Sequence, residues 1–102
     1  MKYEIVDGSE GPTLMLRDQL NFADREPFDT MTDKLFARRS RIVAIDLSGL
    51  DYMDSAGLGM LLSLRERADK AGVDVQLQRP KGEVRELLAL ACFDTLFTVS
   101  HE

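Results

Sequence analysis

Four apolar residues in a row, Ile42-Val43-Ala44-Ile45, constrain the fold more than any other feature of this chain. A strand with one wet face alternates apolar and polar residues. A run without alternation reads as a central strand covered on both faces. Such a strand needs parallel neighbours, and parallel neighbours need crossover helices. The flanking sequence supplies them. Phe28, Met31 and Leu35, widened by Phe36, recur at helical spacing and predict an amphipathic helix over 26–39. Pro27 suits its first turn, and Arg38-Arg39 suit the C-terminal end of its dipole. Leu58, Leu61, Leu62, Arg65 and Ala68 predict a second helix from Asp54-Ser55 to about Ala71, stopped by Gly72. Val84, Leu87, Leu88 and Ala91 predict a third. Residues 73–78 alternate and read as a half-covered strand; Leu96 to Val99 reads as a last short one. At the start, Tyr3–Val6 and Thr13–Leu16 predict a hairpin, with residues 17–24 as a connection. The order is β-β-α-β-α-β-α-β. It predicts an α/β fold, one domain over 1–102, on a single mixed and largely parallel sheet of about five strands with right-handed crossovers.

Composition closes off several functions. Thirteen Lys and Arg against eighteen Asp and Glu give a net charge of −5, which argues against binding a nucleic-acid backbone. The lone Cys92 cannot form an internal disulfide and reads as a small core residue. The lone His101 leaves no material for a Ser-His-Asp triad or a histidine zinc site. No apolar run approaches the roughly 20 residues that span a bilayer. Met1-Lys2-Tyr3-Glu4 does not open a signal peptide, so the expected compartment is the cytoplasm, without membrane insertion.

Chemistry concentrates in Asp46-Leu47-Ser48-Gly49-Leu50-Asp51-Tyr52-Met53-Asp54-Ser55-Ala56-Gly57-Leu58-Gly59, which joins the buried strand to the second helix. In open α/β sheets function gathers beyond the carboxyl ends of the strands. Ser55 can act as the helix N-cap, a role Asp54 can fill instead. Gly57 and Gly59 each cost the helix about 1 kcal/mol relative to Ala. Their presence predicts either close packing on a neighbour or access for another molecule to Ser55. A helix N-terminus also tolerates anionic oxygens, so Ser55 suits reversible phosphorylation, which adds about −1.5 to −2 charges beside Asp51 and Asp54. Tyr52, Met53 and Leu58 supply apolar contact area. Met53 and Met60 stand apart from the other methionines as surface residues near the helix entrance. Other chemistries fit less well. Met53 stands where a nucleophile elbow needs glycine, and Leu62 where Gly-x-Gly-x-x-Gly needs its third. Asp46, Asp51 and Asp54 suit turn and helix capping better than magnesium. Asp46 as a receiver-type phosphoacceptor lacks the acidic pair and the lysine that chemistry requires.

The residues Val43 to Gly59, with Asp-Leu-Ser-Gly-Leu followed by Asp54-Ser55-Ala56-Gly57-Leu58-Gly59, resemble the signature of STAS domains, the anti-sigma factor antagonist family. The resemblance implies one sheet with helices mainly on one face, and a non-enzymatic partner switch without metal or cofactor. It implies that Ser55 is phosphorylated by a serine kinase with a histidine-kinase-like ATPase fold, often itself the anti-sigma factor. The unphosphorylated form binds that kinase and frees its other client; a metal-dependent serine phosphatase resets the switch. Two positions depart from the family pattern. Asp18-Gln19-Leu20-Asn21 stands where many members have Gly-x-Leu-Asp. A final helix common in the family has no counterpart before Glu102, which predicts exposed surface on the sheet or on the helix over 83–91.

The sequence therefore predicts an anti-sigma factor antagonist with Ser55 as phosphoacceptor. Its predicted docking surface comprises Leu20, Asn21, Phe22 and Asp24 with Asp51, Tyr52, Met53, Asp54, Ala56, Gly57, Leu58, Gly59 and Met60. The alternative is a STAS subunit that is never phosphorylated and docks on the ATPase of a lipid ABC transport system.

Overall fold

The computed structural model describes residues 1–101. Strands β1 (Lys2–Asp7) and β2 (Pro12–Leu20) form an antiparallel hairpin. Gly8 and Gly11 close its turn with two reciprocal backbone bonds. A short 3-10 turn (Phe22–Asp24) leads into helix α1 (Arg25–Phe36). Strand β3 (Ile42–Met53), helix α2 (Ser55–Ala71), strand β4 (Asp74–Gln78), helix α3 (Gly82–Leu90), a second 3-10 turn (Phe93–Thr95) and strand β5 (Thr98–Ser100) follow. The sheet order is β1-β2-β3-β4-β5, and every pair after the hairpin is parallel. Each crossover steps to the next neighbour in the same direction. Right-handed connections then stack all three helices on one face.

That face holds the core. Leu14, Leu16 and Leu20 of β2, Val43, Ile45, Leu47, Leu50 and Met53 of β3, and Val75 and Leu77 of β4 are buried against it. Phe28, Met31 and Leu35 of α1, Met60, Leu61, Leu64 and Ala68 of α2, and Val84 and Leu88 of α3 pack from above. Phe93 and Phe97 stack at 5.3 Å under the chain's last turn. The opposite face carries Thr13, Met15, Ala44, Asp46, Gln76 and Gln78, and no helix of the described residues lies over it. The unbroken run at 42–45 thus marks a central strand, as expected, but one covered by helices on a single face; Ala44 is buried because it is small and flanked by β2 and β4.

Several elements differ from the sequence expectation, each for a local reason. β2 and β3 run on to Leu20 and Met53, through stretches that read as connections. Their pairing contains two irregularities. Met15 faces Asp46 while Arg17 faces Gly49, and Asp18 faces Leu50 while Gln19 faces Tyr52. Each inserts one extra β3 residue. The core residues Leu47, Leu50 and Met53 are therefore spaced by three, which hides the strand. α1 ends at Phe36, and Arg38 lies beyond it; its Nη1 donates to the Lys34 carbonyl at 2.8 Å and its Nε to Asp7 at 2.9 Å. The last strand starts only at Thr98, because residues 93–95 coil to bury Phe93. Cys92 is exposed rather than core, at a left-handed φ of 58° between α3 and that coil. Met53 and Met60 are buried, not surface residues.

Asp46 lies on the open face yet is only 3% exposed. Its carboxylate accepts the Ser48 amide at 2.9 Å and the Arg79 guanidinium at 2.6 Å. Arg79 has a left-handed φ of 52°, and its amide donates to Ser100 O at 2.6 Å, so its side chain folds back over the sheet. Burial alone would raise the Asp46 carboxyl; the Arg79 guanidinium and the Ser48 contacts outweigh it and hold the group below its ordinary 3.8. A carboxyl lowered on folding stabilises the fold above its unfolded value and loses that contribution as pH falls through the folded one. The stability gap between the wild type and Asp46→Asn, from urea unfolding, should therefore be wide at pH 6 and shrink below about pH 4. An equal gap at pH 6 and pH 2.5 would contradict this role.

Candidate functional site

The carboxyl ends of β2 and β3 and the start of α2 meet at one pole of the molecule. Leu20 and Met53 are opposite each other in the sheet. The Asp54 amide donates to Leu20 O at 3.2 Å. The chain turns there, and Ser55 becomes the first residue of α2. The cap is Asp54: its Oδ1 accepts the Gly57 amide at 2.9 Å, and its Oδ2 accepts the Phe22 amide at 3.3 Å. A carboxylate satisfies first-turn donors and complements the helix dipole. Ser55 is thereby released from capping. It is exposed, with its hydroxyl outside the hydrogen bonding of the helix start.

The neighbouring turn is held just as firmly. Asn21 Oδ1 accepts the Ala23 amide at 3.0 Å, and Asp24 Oδ2 accepts the Asn21 amide at 2.9 Å, a reciprocal capping box. Asp24 Oδ1 takes the Met1 amine at 2.9 Å. Burial would raise the Asp24 carboxyl; the Asn21 amide and that amine outweigh it and hold it below its ordinary value. The turn presents Phe22 with 77% of its surface exposed.

The two glycines separate. A Cβ on Gly57 would stand 2.5 Å from Met53 Cγ and 2.7 Å from Leu20 O, so Gly57 exists for close packing beneath the helix. A Cβ on Gly59 would meet nothing within 4 Å. Gly59 lies one turn beyond Ser55, on the outer face.

The structure brings most of the predicted docking residues to this pole, at two depths. Asn21, Phe22, Asp24, Asp51, Tyr52, Asp54, Ala56, Leu58 and Gly59 reach the surface in whole or in part. Leu20, Met53, Gly57 and Met60 are buried and shape that surface from below. Leu62 shares the apolar spacing of α2 with Leu58 and Leu61, yet it lies outside the core. The inner face of α2 is Gly57, Met60, Leu61, Leu64 and Ala68, rotated from the expected stripe, which leaves Leu62 39% exposed. The signal was Gly57: taken as the point of closest approach, its partners at i+3, i+4, i+7 and i+11 are the buried residues. Tyr52 is 43% exposed near the end of β3, and Asp18 and Asp51 are exposed as well.

The three aspartates of the segment do not converge. Asp46 pairs with Arg79, Asp51 approaches Lys81 at 3.8 Å, and Asp54 caps α2. Among the described residues, no group of three or more His, Cys, Asp or Glu side chains is placed to hold a metal ion. No helix among them is long and apolar enough to cross a membrane.

An open-faced sheet with helices on one side, and an exposed serine heading its central helix, defines an α/β domain with a surface pole rather than a cleft. Residues 4–102 match the STAS domain family, and the chain belongs to it. A STAS-domain containing protein of Pseudomonas aeruginosa is 33% identical over 95 residues, which cover 93% of this chain and 92% of that one. An anti-sigma factor antagonist from Mycobacterium paratuberculosis superposes with a TM-score of 0.86 at 17% identity, over 99% of this chain and 86% of its own. The anti-sigma factor antagonist SpoIIAA in its unphosphorylated form gives 0.78 at 15% identity, over 96% and 87%. The Bacillus SpoIIAA in its phosphorylated form gives 0.71 at 14% identity, over 96% and 90%. At these identities the structural likeness is one of fold.

The glycine assignments are directly testable by urea unfolding. Gly57→Ala should lose about 1–3 kcal/mol through overpacking. Gly59→Ala should gain up to about 1 kcal/mol through helix propensity. The reverse order would refute the packing argument.

Proposed function

We propose that this protein is a phosphorylation-controlled binding switch, an anti-sigma factor antagonist whose Ser55 hydroxyl is the phosphoacceptor. Unphosphorylated, it sequesters a serine kinase with a histidine-kinase-like ATPase fold that doubles as the anti-sigma factor. The docking surface is the Phe22 turn together with Tyr52, Leu58 and the helix start around Ser55. The protein supplies no catalysis of its own. In the transfer, Ser55 Oγ gives up its proton and bonds to the γ-phosphorus of ATP bound by the kinase, and ADP leaves. A metal-dependent serine phosphatase hydrolyses the ester and restores binding. The setting is the cytoplasm.

The observation that carries this reading is the division of labour between neighbours: Asp54 caps the helix, while Ser55 is exposed with an uncommitted hydroxyl. A serine needed only for capping would make the cap bond itself. Three supports stand beside it. Phe22, whose amide bonds the capping Asp54, and Tyr52, two residues before that cap, are large side chains left exposed by their own chain. The helix N-terminus accommodates a phosphate without unfolding. SpoIIAA, similar in fold, has both an unphosphorylated and a phosphorylated form.

Incubation with the cognate serine kinase and ATP, followed by mass-spectrometric site mapping, tests the reading. One phosphate should appear, on Ser55, and Ser55→Ala should take up none while unfolding within about 1 kcal/mol of wild type. Absence of phosphate on Ser55, with tight binding to an ABC-transport ATPase instead, would replace this function with the unphosphorylated docking role.

A further inference from the structure

We infer that Asp54 is a positioning residue that couples Ser55 to Phe22: one carboxylate ties the helix start to the aromatic turn, and a phosphate on Ser55 breaks that tie. The inference rests on the phosphoacceptor reading of Ser55 and adds the means by which phosphorylation reaches the rest of the surface.

The geometry is specific. Asp54 Oδ1 is engaged by the Gly57 amide at 2.9 Å and Oδ2 by the Phe22 amide at 3.3 Å. The second bond joins residues 32 apart in sequence and is a side-chain link from α2 to the 3-10 turn. The capping box holds the turn's own fold, and little else holds the Phe22 side chain, since the residue is 77% exposed. An aromatic side chain fixed in water by its backbone is a preorganised anchor, and such anchors dominate binding surfaces.

A phosphoserine at the first helical position brings three acceptor oxygens and about −1.5 to −2 charges to the residue next to Asp54. The donors it can reach are the first-turn amides, among them the Gly57 amide that Asp54 holds. Two anions compete for that donor and repel each other. The carboxylate turns away, and the longer bond, to Phe22, is lost with it. The Asn21–Asp24 capping box keeps the turn folded, but Phe22 loses its fixed relation to α2. A partner then meets both an added charge and a loosened anchor.

Amide hydrogen exchange by NMR on the full chain tests this without any partner. With phosphoserine installed at position 55, the Phe22 amide should exchange roughly tenfold faster, while Val75 and Leu77 in β4 stay unchanged. In Asp54→Asn, which keeps an oxygen acceptor but no charge, the same phosphate should change Phe22 exchange less than twofold. In wild type near 1 M salt, where screening acts over about 3 Å, the acceleration should shrink. Unaltered Phe22 exchange in the phosphorylated wild type overturns the inference. So does equal acceleration in Asp54→Asn, or, should that variant not fold, acceleration insensitive to salt. Loss of partner binding on phosphorylation with an unmoved Phe22 amide would leave the switch standing and remove only this coupling.

Discussion

The contact on which the pole depends is the seat of the first turn of α2 on the end of β2. Gly57 brings the helix backbone against Leu20 O and the Met53 side chain, closer than any side chain would permit. The Asp54 amide closes the same seat by donating to Leu20 O. That anchoring fixes where the helix begins and which way it faces. Gly57, Met60, Leu61, Leu64 and Ala68 must point inward, and Ser55, Gly59 and Leu62 must point out. Shift the seat by one residue and the exposed serine would turn towards the core.

Two irregularities in β3 make the seat possible. By adding residues opposite β2, they carry the strand far enough to set Met53 against Leu20 while keeping Leu47 and Leu50 in the core. The parallel arrangement then places helix N-termini at this end of the sheet. The positive ends of the helix dipoles and the acidic residues Asp18, Asp51 and Asp54 share the pole. A modification that adds negative charge here is tolerated by the fold but conspicuous to anything docked on it.

Much of this was legible in the sequence, and the misses are instructive. The apolar run at 42–45 and the helical spacings at 28–36, 58–68 and 84–91 made the succession of strands and helices along the chain readable, because burial on a regular element leaves a regular pattern. The ends of β2 and β3 were not legible, because a bulge breaks the two-residue period that marks a strand. The facing of α2 is less legible: Leu62 shares the apolar spacing of Leu58 and Leu61 but lies outside, and the close approach at Gly57 shows that the helix is rotated. The choice between Asp54 and Ser55 as cap was open in the sequence, since both residue types cap equally well. Distances decided it. Cys92 looked buried by type, but it occupies a left-handed position in a turn and is exposed.

The central claim is that the charge state of one exposed hydroxyl decides what binds this pole. Titrating the cognate kinase, with ADP bound, against the protein carrying serine and then phosphoserine at position 55 measures it directly. The account predicts that affinity falls at least tenfold, about 1.4 kcal/mol, on phosphorylation. Equal affinity for the two forms would contradict it.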